Sequence, residues 1–171
     1  MLVIGIDPGT ATTGYGLVQE NPDGSLTVVD FGVILTPAEL PMPERLLELF
    51  KRLSDVLLLH RPQSAAVEKL FFQRNVRTAL SVGQGRGVAL LALAQAGLPV
   101  SEYTPLEVKQ AVVGYGGADK NQVQQMVRAL LDLPEIPQPD DAADALAVAI
   151  CHVHSARFKS LVNETDPKDR L

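Results

Sequence analysis

Asp7 ends an apolar run, Leu2 to Ile6, and is followed by Pro8-Gly9. Such a run reads as a buried strand closed by a turn, which puts Asp7 at the strand's C-terminal end, where sheet proteins gather their ligands. An Asx turn into Pro8-Gly9 accounts for the same aspartate. Glu68 follows Ala65, Ala66 and Val67 in a second apolar segment. Glutamate is depleted in strands, and a carboxylate buried in one needs a partner or a metal. An edge-strand glutamate paired with a neighbouring lysine or arginine is the alternative. In the run Pro139-Asp140-Asp141-Ala142-Ala143-Asp144, the spacing puts Asp141 and Asp144 on one face of a helix's first turns. Asp140 falls on the N-cap, and an acidic residue at 141 also suits the helix dipole; Asp144, past the first turn, is harder to explain that way.

Carboxylates on two strand ends and a helix N-terminus are what a pair of hard cations requires, since magnesium prefers oxygen ligands. Two such ions about 4 Å apart can activate a water and clamp an in-line displacement at phosphorus. The chemistry would be phosphodiester hydrolysis.

The charge distribution fits an acidic polymer as substrate. The 171 residues carry a formal net charge of −5, which alone argues against a nucleic-acid partner. Residues 69–128, however, hold seven basic side chains (Lys69, Arg74, Arg77, Arg86, Lys109, Lys120, Arg128) against three acidic ones, a local +4 that leaves −9 elsewhere. Acidic residues for a metal and basic residues for a phosphate backbone are thus segregated. Chance clustering on solvated helix faces would look the same.

The elements that must position these residues follow from the pattern. Strands are expected at 2–6, 14–19 and 26–35, joined by short turns into an antiparallel meander. Leu46, Leu47, Phe50, Leu53, Val56 and Leu57 recur at helical spacing between Pro43 and His60. A strand at 64–70, a helix at about 76–96 stopped by Gly97, and a strand near 100–103 come next. Thr104-Pro105 with Glu107 reads as a capping box opening a helix to about 113, and Asp119 caps another through 131. Three prolines between 133 and 139 force a loop before the last helix, near Asp141. The result is one α/β domain, residues 1–157, with a mixed five-stranded sheet flanked by helices; residues 158–171 lack apolar periodicity and read as a flexible, solvated tail. A lone cysteine, Cys151, excludes an intrachain disulfide. No apolar run approaches the roughly 20 residues that span a bilayer. A soluble cytoplasmic protein is expected.

Five segments carry a resemblance: GIDPGTATTGYG at 5–16, VEKLFF at 67–72, GQGRGVA at 83–89, VKQAVVGYGGADK at 108–120 and DAADALAVAICH at 141–152. In this order they closely resemble the RuvC family of bacterial Holliday junction resolvases, from Leu2 to His154. The resemblance implies an RNase H-like fold and a homodimer. It also implies two Mg²⁺ ions per active site, with Mn²⁺ as a possible substitute, and paired symmetric nicks in four-way junction DNA during recombination and repair. A RuvA–RuvB branch-migration complex is implied as partner. Asp7, Glu68, Asp141 and Asp144 match the family's catalytic, metal-binding carboxylates, and Asp141 stands where some relatives have histidine, so it is ligand or base. Lys120 and Lys109 match basic residues that serve catalysis or phosphate contact. Phe71, Phe72 and Arg74 match the loop that touches the unpaired junction centre, where aromatic stacking on opened bases fits, and Arg77 joins the DNA-contacting set. Core packing is the other reading of the two phenylalanines.

Gly83, Gly85 and Gly87 fall inside a predicted helix with no preceding strand, so close helix packing explains them better than a phosphate loop; in the family this helix lies at the dimer interface. His152 and His154 suit the last turns of a helix better than a metal site. The rival reading is an ATPase or sugar kinase of the actin type, whose first phosphate loop resembles Gly5 to Thr10. Such proteins need two lobes and a second phosphate loop, and neither is legible here.

Overall fold

The computed structural model describes residues 1–69 and 76–165, the side chains of 76–78 and 159–165 excepted. Three antiparallel strands, β1 (Leu2–Asp7), β2 (Thr12–Glu20) and β3 (Leu26–Leu35), are followed by α1 (Met42–His60) and β4 (Ser64–Glu68). Then come α2 (Val76–Gln95), β5 (Val100–Tyr103), α3 (Pro105–Val113), α4 (Lys120–Leu130) and α5 (Asp140–Thr165). The sheet order is β3-β2-β1-β4-β5, with β1 antiparallel to β2 and parallel to β4, and β4 parallel to β5. This is the mixed five-stranded sheet of an RNase H-like fold. β4 lies inside the sheet, so the edge-strand account of Glu68 fails.

The sheet divides the core in two. On one face, Ile4, Ile6 and Leu17 pack against Leu49, Leu53 and Leu57 of α1 and Ala89, Ala92 and Leu93 of α2. On the other, Val3, Val18 and Ala66 meet α3, α4 and α5, with Leu146 and Ile150 fully buried. α1 shows its limits as a sequence pattern: Leu53 and Leu57 are buried as expected, but Leu49 completes that stripe and Leu47 stands exposed. The stripe advances by whole i+4 steps, which turns Leu47 away from the sheet.

The expected caps form. Thr104 accepts from the Glu107 N–H at 3.1 Å while the Glu107 carboxylate accepts from the Thr104 N–H at 2.7 Å. Asp119 and Gln122 form the same reciprocal pair at the start of α4. Two expectations are corrected. α5 continues to Thr165, through residues assigned to the tail; Phe158, Leu161 and Val162 recur at i+3 and i+4, a spacing too short to register as periodicity. His152 and His154 therefore sit in mid-helix. His154 faces the Ala111 carbonyl of α3 at 3.0 Å, and His152 bridges the Tyr103 hydroxyl at 3.0 Å and the Ser64 hydroxyl at 3.1 Å. No helix among the described residues is long and apolar enough to cross a membrane.

α5 lies directly on backbone. Gly5 of β1 pairs with Gly16 of β2, and Gly14 pairs with Asp7. A side-chain carbon at Gly5 would drive into the Ala145 carbonyl and the Ala149 N–H, and one at Gly14 into the Asp141 carbonyl. Only glycine leaves the helix this close. Gly5→Ala must move α5 or the sheet, and overpacking of this kind costs about 1–3 kcal/mol, or about 2–4 °C of Tm per kcal/mol at this chain length. Thermal unfolding by circular dichroism should show a fall of several degrees; an unchanged Tm would mean that α5 is not seated on Gly5.

Candidate active site

The in-register pairing of β1 and β4 ends at Ile6 with Val67, so Asp7 and Glu68 leave adjacent parallel strands side by side, at the strand spacing of about 4.8 Å. Both point to the face that α5 covers, because Gly5 and Ala66, two residues earlier, line that face. The Gly14 contact with the Asp141 carbonyl brings the first turn of α5 over the same spot, and with it Asp141 and Asp144. Sheet register and one glycine seat thus unite carboxylates that are far apart in sequence.

The electrostatics agree with this convergence. Burial pushes the Asp7 carboxyl up to about 7, aided by the charges of Glu68, Asp144 and Asp141, against the pull of Lys120. Burial likewise lifts Glu68 to about 7, with Asp144 adding to the rise and Lys120 and Lys109 opposing it. Asp144 is raised by burial, partly offset by its bond to Lys120. Lys120, at the start of α4, places its ammonium 3.1 Å from both Asp140 and Asp144. Burial would lower its pKa, but these bonds and charges raise it.

Asp140 differs from its expected role. It is the first helical residue of α5 rather than a side-chain N-cap, and its carboxylate accepts from Lys120 and, at 3.0 Å, from the Gln124 amide. It holds the lysine. The signal was present in Asp140-Asp141, but a capping aspartate and a lysine anchor look alike until α4 is placed beside α5.

The loop after Asp7 is fixed from the opposite side of the sheet. Thr13 donates its hydroxyl to the Gly9 carbonyl at 2.6 Å, and Thr10 donates to the Ser81 carbonyl of α2. Gly85 packs onto the Gly9 carbonyl, whereas Gly83 and Gly87 face open space. The close-packing reading therefore holds for Gly85, against a loop rather than a helix. Of the basic stretch, Arg86 pairs with Glu102 of β5 and Arg128 donates to the Leu133 carbonyl. Lys109 and Lys120 border the carboxylates. Phe71, Phe72 and Arg74 lie outside the described residues, as does the Arg77 side chain, so the sequence expectations for them meet no structural test.

A cavity of about 200 Å³ opens beside Glu68 and Asp144, with Lys109 and Lys120 on its walls. A larger one, about 400 Å³, lies between the C-terminal turns of α1 and α2, remote from the carboxylates and with Arg61 as its one charged wall residue. The chemistry belongs to the smaller one. Among the described residues no three acidic, histidine or cysteine side chains form a finished ligand shell. The Asp144 carboxylate is turned to Lys120, 3.1 Å from its ammonium. The donor set nevertheless fits a hard divalent cation: it offers carboxylate oxygen, and its surplus negative charge is costly in the absence of one.

The chain's residues 3–152 match the family model described as Crossover junction endodeoxyribonuclease RuvC. It is 63% identical over 156 residues to the protein of that name from Chloroflexus aurantiacus, covering 91% of this chain and 94% of the relative. A Thermus thermophilus RuvC structure superposes with a TM-score of 0.87 at 40% identity, covering 93% of this chain and 97% of that one. The T. thermophilus RuvC in complex with Holliday junction substrate gives 0.85 at 38% identity, with 92% and 96% covered. Fold, site geometry and similarity agree: this chain belongs to the RuvC family of crossover junction endodeoxyribonucleases, which are metal-dependent nucleases.

Proposed function

We propose that the chain resolves four-way DNA junctions by paired, symmetric nicks as a homodimer in the cytoplasm, with Asp7, Glu68, Asp141 and Asp144 holding two Mg²⁺ ions. The observation that carries this is the convergence of Asp7 and Glu68, at the ends of adjacent parallel strands, with the first turns of α5 that bear Asp141 and Asp144, where burial and the neighbouring carboxylates push the Asp7 and Glu68 carboxyls up to about 7. Such a site is unfavourable for the protein alone and favourable once cations neutralise it. When bound, the two ions supply Lewis acidity toward the scissile phosphate and the attacking water. Lys120, 3.1 Å from Asp144, is assigned to steady the negative charge that develops on the phosphate, with Asp140 holding its ammonium at the same distance. Lys109, beside Glu68, offers a second cation to the DNA backbone. Phe71 and Phe72 are assigned to stacking on opened bases, with Arg74 and Arg77 beside them.

The homodimer is supported by α2. Leu80, Gln84, Gly87 and Leu91 are exposed at four-three-four spacing, which is the seam of a helix pair, and the two leucines are 67% and 58% exposed. A two-fold enzyme suits a two-fold substrate. Leu91→Glu should shift sedimentation from dimer to monomer and abolish the pairing of nicks; a persistent dimer would exclude this seam.

Asp7→Asn should lower cleavage of a labelled four-way junction in Mg²⁺ by at least about 10²-fold while leaving junction binding intact. Equal loss of binding would point to a folding defect instead of a lost ligand. Phe71→Ala should slow junction cleavage with no change in Tm, and wild-type cleavage by that variant would remove the stacking role.

Stability should carry the same signature. A carboxyl raised in the folded state keeps a proton that the unfolded chain has released, so folding stability falls as pH rises from the ordinary aspartate value of 3.8 to about 7. Above that window Asp7→Asn should be more stable than the parent protein in the absence of divalent cation, and below 3.8 the difference should vanish. Mg²⁺ should raise the Tm of the parent at about pH 8 and do less for the variant. A variant less stable than the parent under those metal-free alkaline conditions would contradict the assigned strain.

A further inference from the structure

Lys120 stands where a cation is locally out of place. It is the first residue of α4, and the positive end of a helix dipole disfavours an ammonium. Two carboxylates of α5 compensate, those of Asp140 and Asp144, each 3.1 Å from the ammonium. They are not equivalent. The Asp144 side chain is 32% exposed and belongs to the cluster, since its charge acts on Glu68. Asp140 is 53% exposed, and Glu68 does not respond to it. The other oxygen of Asp140 accepts from the Gln124 amide at 3.0 Å. Gln124 is only 9% exposed and lies one turn after Lys120, so Asp140 bridges residues i and i+4 of the neighbouring helix. The outer carboxylate is thus anchored independently of the lysine, whereas the inner one is paired with Lys120 alone among the described residues.

An ammonium on Asp144 occupies an oxygen of the kind that a hard divalent cation takes. Lysine carries three donors on a flexible stem, so it can give up one carboxylate and keep the other. We infer that Asp140, fixed by Gln124, is a positioning residue that retains Lys120 at the site when Asp144 turns to a cation; the inference rests on the nuclease reading above. Without the Asp140 charge, the lysine would have to leave its last carboxylate and stand unpaired at the positive end of α4. Asp144 would then be released less readily. The ammonium, once displaced, would no longer be held where charge develops on the phosphate. Neither Asp140 nor Gln124 lines the cavity, and both act only through Lys120.

The test has two readouts on the full-length protein. One is Mn²⁺ binding in the absence of DNA, followed by loss of the free ion's EPR signal; the other is single-turnover cleavage of a four-way junction in Mg²⁺. Asp140→Asn keeps an oxygen for Gln124 but removes the ion pair. It should weaken Mn²⁺ binding about two- to fivefold, the range of an exposed ion pair. At saturating Mg²⁺ it should slow cleavage severalfold with junction affinity unchanged. Loss of a nearby negative charge would also weaken cation binding, so the same substitution is made in Lys120→Met, where its effect on Mn²⁺ should largely disappear. Gln124→Met alters no charge and should reproduce part of both losses. An Asp140→Asn effect equally large without the lysine would overturn the positioning role, because Asp140 would then act by its own charge. Binding and cleavage by Asp140→Asn equal to those of the parent would overturn it too, and the same result for Gln124→Met would remove Gln124 from it. A parent protein that leaves the junction uncut would instead remove the nuclease reading on which the role depends.

Discussion

Everything at the site depends on how closely α5 approaches the sheet. Its first turns rest on Gly14, Gly5 and Gly16, where any side chain would meet the helix backbone or Leu146. Gly5 and Gly16 lie directly opposite each other on two paired strands, and Gly14 lies two residues from Gly16 on the same face. A helix seated there has little freedom to slide, because Ala142, Ala145 and Ala149 leave no large side chain to act as a spacer and are themselves buried. Asp141 and Asp144 are thereby held within electrostatic reach of Asp7. Had α5 been separated from the sheet by ordinary side chains, at the roughly 10 Å typical of packed layers, the carboxylates could still have been present without acting together.

That proximity is energetically adverse, and the surroundings only partly relieve it. Lys120 neutralises Asp144 and Asp140, while Asp7 and Glu68 keep carboxyls lifted to about 7. Stability is given up at this cluster of carboxyls, a trade common to functional sites. The strain is confined. Around it lie fully buried residues such as Val3, Ala66, Val67 and Leu146, whose packing does not depend on the charge state of the site.

Much of this was legible in the sequence, for identifiable reasons. An apolar run ending in Asp-Pro-Gly, a glutamate closing an apolar strand and a helix opening with aspartates are local patterns, and local patterns survive without a structure. The capping box at Thr104 and the cap at Asp119 were legible because their partners lie three residues away, although the reciprocal bond from Gln122 was not foreseen. The anchoring of Lys120 by Asp140 was not, since it joins two helices whose packing no periodicity records. The roles of Gly5, Gly14 and Gly16 escaped for the same cause: a glycine's use is defined by what comes against it. The end of α5 was misjudged because Phe158, Leu161 and Val162 span barely one turn.

The two faces of the sheet divide the work, and the β1–β2 loop links them. Asp7 belongs to the α5 face, yet the residues just after it are gripped from the α2 face, by Ser81 on Thr10 and by Gly85 on Gly9. The position of Asp7 is thus set by α5 on one side and by α2 on the other. α2 is also the helix with the exposed leucine and glycine stripe, and Gly85, one residue from Gln84 of that stripe, is the point pressed on the loop. A helix that docks at that stripe is backed, one layer deeper, by the loop that carries the first carboxylate. The geometry at Asp7 is consequently tied to α2 through the Thr10 hydroxyl on the Ser81 carbonyl and the seat of Gly85 on the Gly9 carbonyl.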